Sequence, residues 1–305
     1  PLFRSSAASD VYKRQVSDAA GNAATQVTSS AFTYDKTAPT VSSAAMSDTA
    51  LKSGDTATLT ITFSEAVTAF ANADLTIPNG SLTAVSSADG GTTWTATYTP
   101  TADLEDTSNV ISIATSYTDL AGNAGAVGQT ANFTIDTNTP SISAIATSAF
   151  SWTDYLNATE DDNNGTVSIT TSGVEDDQTL TITLNGQSYT NTVTDNATTV
   201  TITAGGLQGL TEGSVTMTAD VSDAAGNAAA QVTSSAFTYD KTVPTVSSFA
   251  MNDTALKSGE TATVTLVFSE AVTGFANADI TVVNGSLSTM STLSLIHISE
   301  PTRLA

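Results

Sequence analysis

Carboxylates recur in this sequence at matched positions, and they are the side chains with chemistry to offer. Asp35, Asp136 and Asp240 each stand four residues before a proline, at Pro39, Pro140 and Pro244. Glu65 and Glu270 occupy two copies of Phe-Ser-Glu-Ala-Val, and Asp119 and Asp223 open an Asp-x-Ala-Gly-Asn motif that also occurs at Asp18–Asn22. Asp154, Asn157 and Glu160 form a further set, and Glu175 lies in a second acidic loop. The chain has no cysteine and a single histidine, His297. Hard oxygen donors without sulfur or imidazole select calcium over transition metals. All ten of the paired and loop residues, Asp35, Glu65, Asp119, Asp136, Asp223, Asp240, Glu270, Asp154, Asn157 and Glu160, are therefore candidate Ca2+ ligands.

Whether they act together depends on the elements that carry them. The segment from Val16 returns at Val221, about 205 residues later, with about 55 of 70 aligned positions identical. The match stops abruptly at both ends. The stretches outside it, 1–15 and 293–305, hold all three arginines and the histidine. These flanks resemble translated sequencing-adapter sequence and are set aside. The body then carries only Lys36, Lys52, Lys241 and Lys257 against 28 acidic residues. So acidic a surface repels nucleic acid and anionic membranes. No stretch approaches the ~20 apolar residues of a membrane span. Because the body begins inside a repeat, any secretion signal falls outside what is visible.

The linker motifs, about 101 and 104 residues apart, subdivide the repeat at the spacing of tandem sandwich domains. This gives the tail of a type B domain at 16–36, a type A domain at 37–136, a type B domain at 137–240 and the front half of a second A at 241–292. Strand signals recur between the linkers. Thr56–Phe63, Thr92–Thr99, Asn109–Thr115, Thr166–Ser172, Leu180–Gly186, Thr198–Thr203 and Ser214–Val221 alternate polar with apolar residues, mostly threonine against aliphatics. Asn79-Gly80 and Asn185-Gly186 mark turns. No window carries a sustained helical period. The expected fold is all-β, a tandem array of immunoglobulin-like β-sandwich domains.

Three motifs in the same order, Asp-x-x-x-Pro, Phe-Ser-Glu-Ala-Val and Asp-x-Ala-Gly-Asn, resemble the bacterial immunoglobulin-like domains of very long repetitive adhesins and biofilm proteins. The resemblance covers essentially the whole body. It implies an extended rod with calcium at the domain joints, a secreted or cell-surface location, and neighbouring repeats of the same chain as partners. A surface receptor would be met by regions not present. In a sandwich of this topology Asp35 should meet Glu65 and Asp119 at one joint, Asp136 should meet Asp223 and Glu175 at the next, and Asp240 should meet Glu270 at the third. Asp154, Asn157 and Glu160, in the first type B loop, should face that third joint. The acidic run Glu160–Gly165 departs from the family pattern, and it lacks the glutamate an EF-hand requires twelve positions on, where Thr171 stands.

Other readings of the same residues remain open at this stage. Asp-x-Ala-Gly-Asn is also a good tight turn. A carboxylate pair can hydrolyse glycosides, but acidic residues repeated in every copy argue against an enzyme. A carbohydrate-binding module, or a spacer in a secreted multidomain enzyme, is the alternative to an adhesin stalk. Trp94 and Trp152 are single tryptophans, more suited to a core than to a sugar platform.

Overall fold

Alternating threonine and aliphatic residues build the centre of the fold. In the strand Ala57–Phe63, Ala57, Leu59, Ile61 and Phe63 are buried while their neighbours face outward or lie at the margin, the two-residue period of a strand with one dry face. The computed structural model describes residues 17–25, 27–294 and 297–303. The flank at 1–15 lies outside the described residues, as do 295–296 and 304–305 of the second flank. Chain contacts divide the protein into two units, Pro1–Ile135 and Asp136–Ala305.

In the first unit a five-stranded sheet contains Val41–Met46, Ala57–Phe63, Thr93–Pro100 and Gly80–Leu82 in that order, with Ser86–Ser87 also on Thr93–Pro100. Its neighbours are antiparallel, from Ala57↔Tyr98 to Thr62↔Thr93. Shorter sheets complete the fold, among them Ala50–Lys52 with Phe133–Asp136 and Glu105–Asn109. Leu59, Ile61 and Tyr98 from the large sheet share one core with Leu51, Ile113, Phe133 and Ile135 from the smaller ones, which makes the two layers of a sandwich.

The second unit repeats the logic. Gly165–Ser172 pairs with Ala197–Ile202, and Thr179–Leu184 lies between Gln187–Thr192 and Met217–Asp220. One core joins Val167, Ile169, Leu180, Ile182, Val200, Phe237 and Tyr239. The short strand Tyr155–Leu156 runs parallel to Phe237–Tyr239, pairing Tyr155 with Thr238 and Leu156 with Tyr239. Beyond Tyr239, Val246–Met251 and Thr261–Phe268 reproduce the first pairing of unit one. The backbone of His297–Arg303 lies antiparallel to Thr261–Phe268, although the sequence reading left that segment outside the fold. An open strand edge offers a row of unpaired amides and carbonyls to any extended segment nearby.

Three details differ from the strand pattern read in the sequence. The Asn109–Thr115 run divides into Glu105–Asn109 and Ser112–Ile113. The Asn109 carboxamide is wholly buried, accepts from Asn79 Nδ2 at 2.9 Å and donates to the Asp106 carbonyl at 3.0 Å, which ties the chain down at the break. A five-residue helix, Ala204–Gln208, has a Thr203 N-cap and is too short to leave a helical period. Asn185 and Gly186 both adopt positive φ (48° and 75°), as a two-residue hairpin turn requires. At Asn79-Gly80 only Asn79 does, at 49°. There the glycine serves packing: a Cβ on Gly80 would lie 2.5 Å from the Tyr98 ring.

Candidate metal centre

Asp35 lies in the first unit just ahead of its first strand. Its Oδ1 accepts the amide of Thr37 at 2.9 Å, a local turn that leads into buried Pro39. The Thr40 carbonyl then accepts the amide of Ser64, and Ser64 Oγ accepts the amide of Thr40, both at 2.9 Å. That reciprocal pair fixes the residue next to Glu65 against the incoming linker. Glu65 stands two residues beyond the end of the strand Ala57–Phe63. The third residue arrives from far along the chain: Thr118–Asp119 pairs antiparallel with Val67–Thr68, two residues beyond Glu65.

The result is a cluster in which one carboxylate oxygen each from Asp35, Glu65 and Asp119 lie within 4.8 Å of one another. Among the described residues it is the only group of three acidic, histidine or cysteine side chains so close together. Burial pushes the Glu65 carboxyl above its ordinary value, and the charges of Asp35 and Asp119 push it further. Asp119, only 3% exposed, is held below its ordinary value by hydrogen bonds. The first of these is the Asn123 side chain, whose Nδ2 donates to Oδ2 at 2.7 Å, and the Asn123 amide donates to Oδ1 at 2.9 Å. Asp119 thus stays ionised at the cost of crowding Glu65. The ammonium of Lys36, beside Asp35 in sequence, sits 5.0 Å from the centre of the Tyr34 ring. Three hard oxygens whose mutual repulsion a cation would relieve fit a calcium ion in donor chemistry.

The remaining candidates are arranged differently. Asp136, Asp223 and Glu175 do share a neighbourhood, but through backbone. Asp136 Oδ1 accepts the Asn138 amide at 3.1 Å, Asp223 accepts both the amide and Nδ2 of Asn227, and Glu175 Oε2 accepts the Ala224 amide at 2.9 Å. Asp240 Oδ1 accepts the Thr242 amide at 3.0 Å. Glu270 Oε1 is buried without a hydrogen-bond partner. Asn157 and Glu160 cap one turn reciprocally: Asn157 Oδ1 accepts the Thr159 and Glu160 amides, and Glu160 Oε2 accepts the Asn157 amide. Asp154 lies outside that turn, and its carbonyl accepts the Thr238 amide at 2.9 Å.

The acidic run after Glu160 has a role the sequence did not disclose. Asp161, 5% exposed, accepts the hydroxyl of Tyr239 at 2.6 Å. Burial, and then that bond, push the Tyr239 hydroxyl up to about 12. Asp162 accepts from Gln208 Nε2 and Asn164 Oδ1 from the Ala204 amide, which moors the short helix. Glu212, also missed, accepts the Lys241 amide and the Thr242 hydroxyl. No motif marks either site. Trp94 and Trp152 are packing residues, Trp94 edge-on to Phe70 and Trp152 stacked on Phe150. Among the described residues no helix is long and apolar enough to cross a membrane.

Several adhesins of known structure are similar to the chain. One is the Ca2+-stabilized adhesin that helps an Antarctic bacterium reach out and bind ice, at 22% identity, covering 95% of this chain and 71% of that one, with a TM-score of 0.38. A second is a 1.5-MDa bacterial ice-binding adhesin, at 20% identity and 86% coverage of each chain, with a TM-score of 0.33. A third is the Escherichia coli adhesin FdeC, at 16% identity, covering 86% of this chain and 88% of that one, with a TM-score of 0.31. No curated protein sequence matches. The bacterial Ig-like domain pattern matches residues 35–135 and again 240–297. The second match begins at Asp240 as the first begins at Asp35, so both open on the linker aspartate, and the chain belongs to the bacterial Ig-like domain family.

Proposed function

We propose that this chain is a run of stalk repeats from a secreted bacterial cell-surface adhesin, acting in cell adhesion or biofilm formation, and that calcium stiffens it where each domain begins. The convergence of Asp35, Glu65 and Asp119 within 4.8 Å carries the reading. Asp35 belongs to the linker, and Glu65 and Asp119 to the domain that follows. A cation shared by the three ties the linker to the domain and removes the rotation a free linker would keep. The family membership and the repeat at an offset of about 205 residues support a spacer, since such repeats add length in near-identical steps. The acidic body supports a role that avoids nucleic acid and anionic membranes. The reading is non-enzymatic: the side chains between the two flanks include no histidine, cysteine or arginine.

Calorimetric titration of the whole chain with calcium, beside a Glu65→Gln variant, tests this. One site or more of calcium affinity, weakened in the variant, is the expected outcome. A wild-type chain that takes up no calcium at millimolar concentration, where extracellular modules bind it, refutes the metal. Small-angle scattering that does not change on chelation refutes the stiffening.

A further inference from the structure

The asparagine that ends each Asp-x-Ala-Gly-Asn turn reaches well beyond the turn. In the second unit, Asn227 Nδ2 donates to Asp223 Oδ2 at 2.8 Å and to the main-chain oxygen of Asp136, 91 residues earlier, at 3.0 Å. In the first, Asn123 Nδ2 donates to Asp119 Oδ2 at 2.7 Å and to the main-chain oxygen of Asp35, 88 residues earlier, at 3.4 Å. The two units differ in loop sequence and hold separate cores, so they give two independent views of one arrangement. Both captured carbonyls belong to the aspartate of the linker motif. Asn227 and Asp223 are 3% and 4% exposed, so this bond is shielded from water.

We propose that Asn123 and Asn227 are positioning residues that latch the linker aspartate onto the final loop of the domain it introduces, with no cation required. The carboxylate of the turn aims the carboxamide, and the carboxamide holds the linker main chain. In the second unit the latch consists of the two Asn227 hydrogen bonds. In the first it also presents Asp35 and Asp119 to one point, and that part rests on the calcium reading above.

Hydrogen exchange on the full chain in excess chelator tests the latch by itself. Asn227→Leu removes both donated bonds, and Asp223→Ala loosens the turn but leaves Asn227 able to hold Asp136. The latch predicts roughly tenfold faster exchange across residues 136–142 in Asn227→Leu, with a clearly smaller change there in Asp223→Ala. Equal effects of the two variants, or an Asn227→Leu effect confined to 221–229, overturn it. If the leucine variant does not fold, Asn227→Ser takes its place under the same criterion. Asn123→Leu, titrated with calcium, should bind roughly tenfold more weakly if Asn123 aims the cluster. An unchanged affinity removes its positioning role in the first unit. A wild-type chain without calcium binding sinks the metal reading and leaves the chelator experiment to decide the latch.

Discussion

Glu65→Gln should stabilise the first unit without calcium and destabilise it, relative to the natural chain, with calcium. Glutamine keeps the size and polarity of the side chain and deletes one charge. Glu65 faces two carboxylates at no more than 4.8 Å. At a water-like dielectric each such pair costs about 1 kcal/mol. Glu65 is partly exposed, so screening by salt leaves roughly 1 kcal/mol for both neighbours together. In a domain of about 100 residues that raises the melting temperature by about 4–8 °C. Calcium reverses the order. At a hundred times its dissociation constant a ligand adds about 2.7 kcal/mol to the form that binds it, and the variant, with a ligand missing, gains less. Calorimetric melting of both proteins, in chelator and in millimolar calcium, reads all four values. A variant that melts below the natural chain in chelator refutes the repulsion. Equal calcium shifts in the two proteins refute the role of Glu65 as a ligand.

Three further outcomes follow from the same structure. The raised Glu65 carboxyl favours the fold at low pH, and that contribution is lost as pH rises from 4.5 through its elevated folded value. The lowered Asp119 carboxyl acts in the opposite sense, its contribution being present above 3.8 and lost as pH falls through its folded value. Melting against pH in chelator should therefore show the Glu65 loss on the way up from pH 4.5, and saturating calcium should abolish it. Tyr239→Phe leaves buried Asp161 without its hydroxyl donor and should cost the second unit about 2 kcal/mol in urea unfolding, with the first unit unchanged. Gly80→Ala drives a methyl group into the Tyr98 ring and the Thr99 carbonyl and should cost the first unit about 1–3 kcal/mol by the same measurement.

The strands were legible because burial imposes a period: Ala57–Phe63 and Thr179–Leu184 alternate as a half-buried sheet must. The meeting of Asp35, Glu65 and Asp119 was legible as well, since the fold class fixes which loops share an end and the repeats mark those loops with acid. What stayed hidden lacks a period or a motif. The bond from Tyr239 to Asp161 spans 78 residues and joins two ordinary residue types. The reach of Asn227 to a main-chain oxygen leaves no trace in residue identity, because every residue offers the same carbonyl. At the second linker Glu175 accepts the Ala224 amide, beside Asp223. Composition does not show whether a carboxylate faces another carboxylate or an N–H.

The parallel pairing of Tyr155–Leu156 with Phe237–Tyr239 has a mechanical meaning. The strand that leaves the second unit's sandwich is hydrogen-bonded alongside one that enters it early, in the same direction, and the Asp240 amide extends the contact to the Leu156 carbonyl at 2.9 Å. Tension drawn through the two ends of such a domain slides these strands lengthwise past each other. Their bonds then carry the load side by side and must fail together, whereas a hairpin pulled open at its tip gives way one bond at a time. A domain built this way resists a steady pull with few residues, and the strand Tyr155–Leu156, whose Leu156 side chain sits in the core, becomes the part that bears the strain.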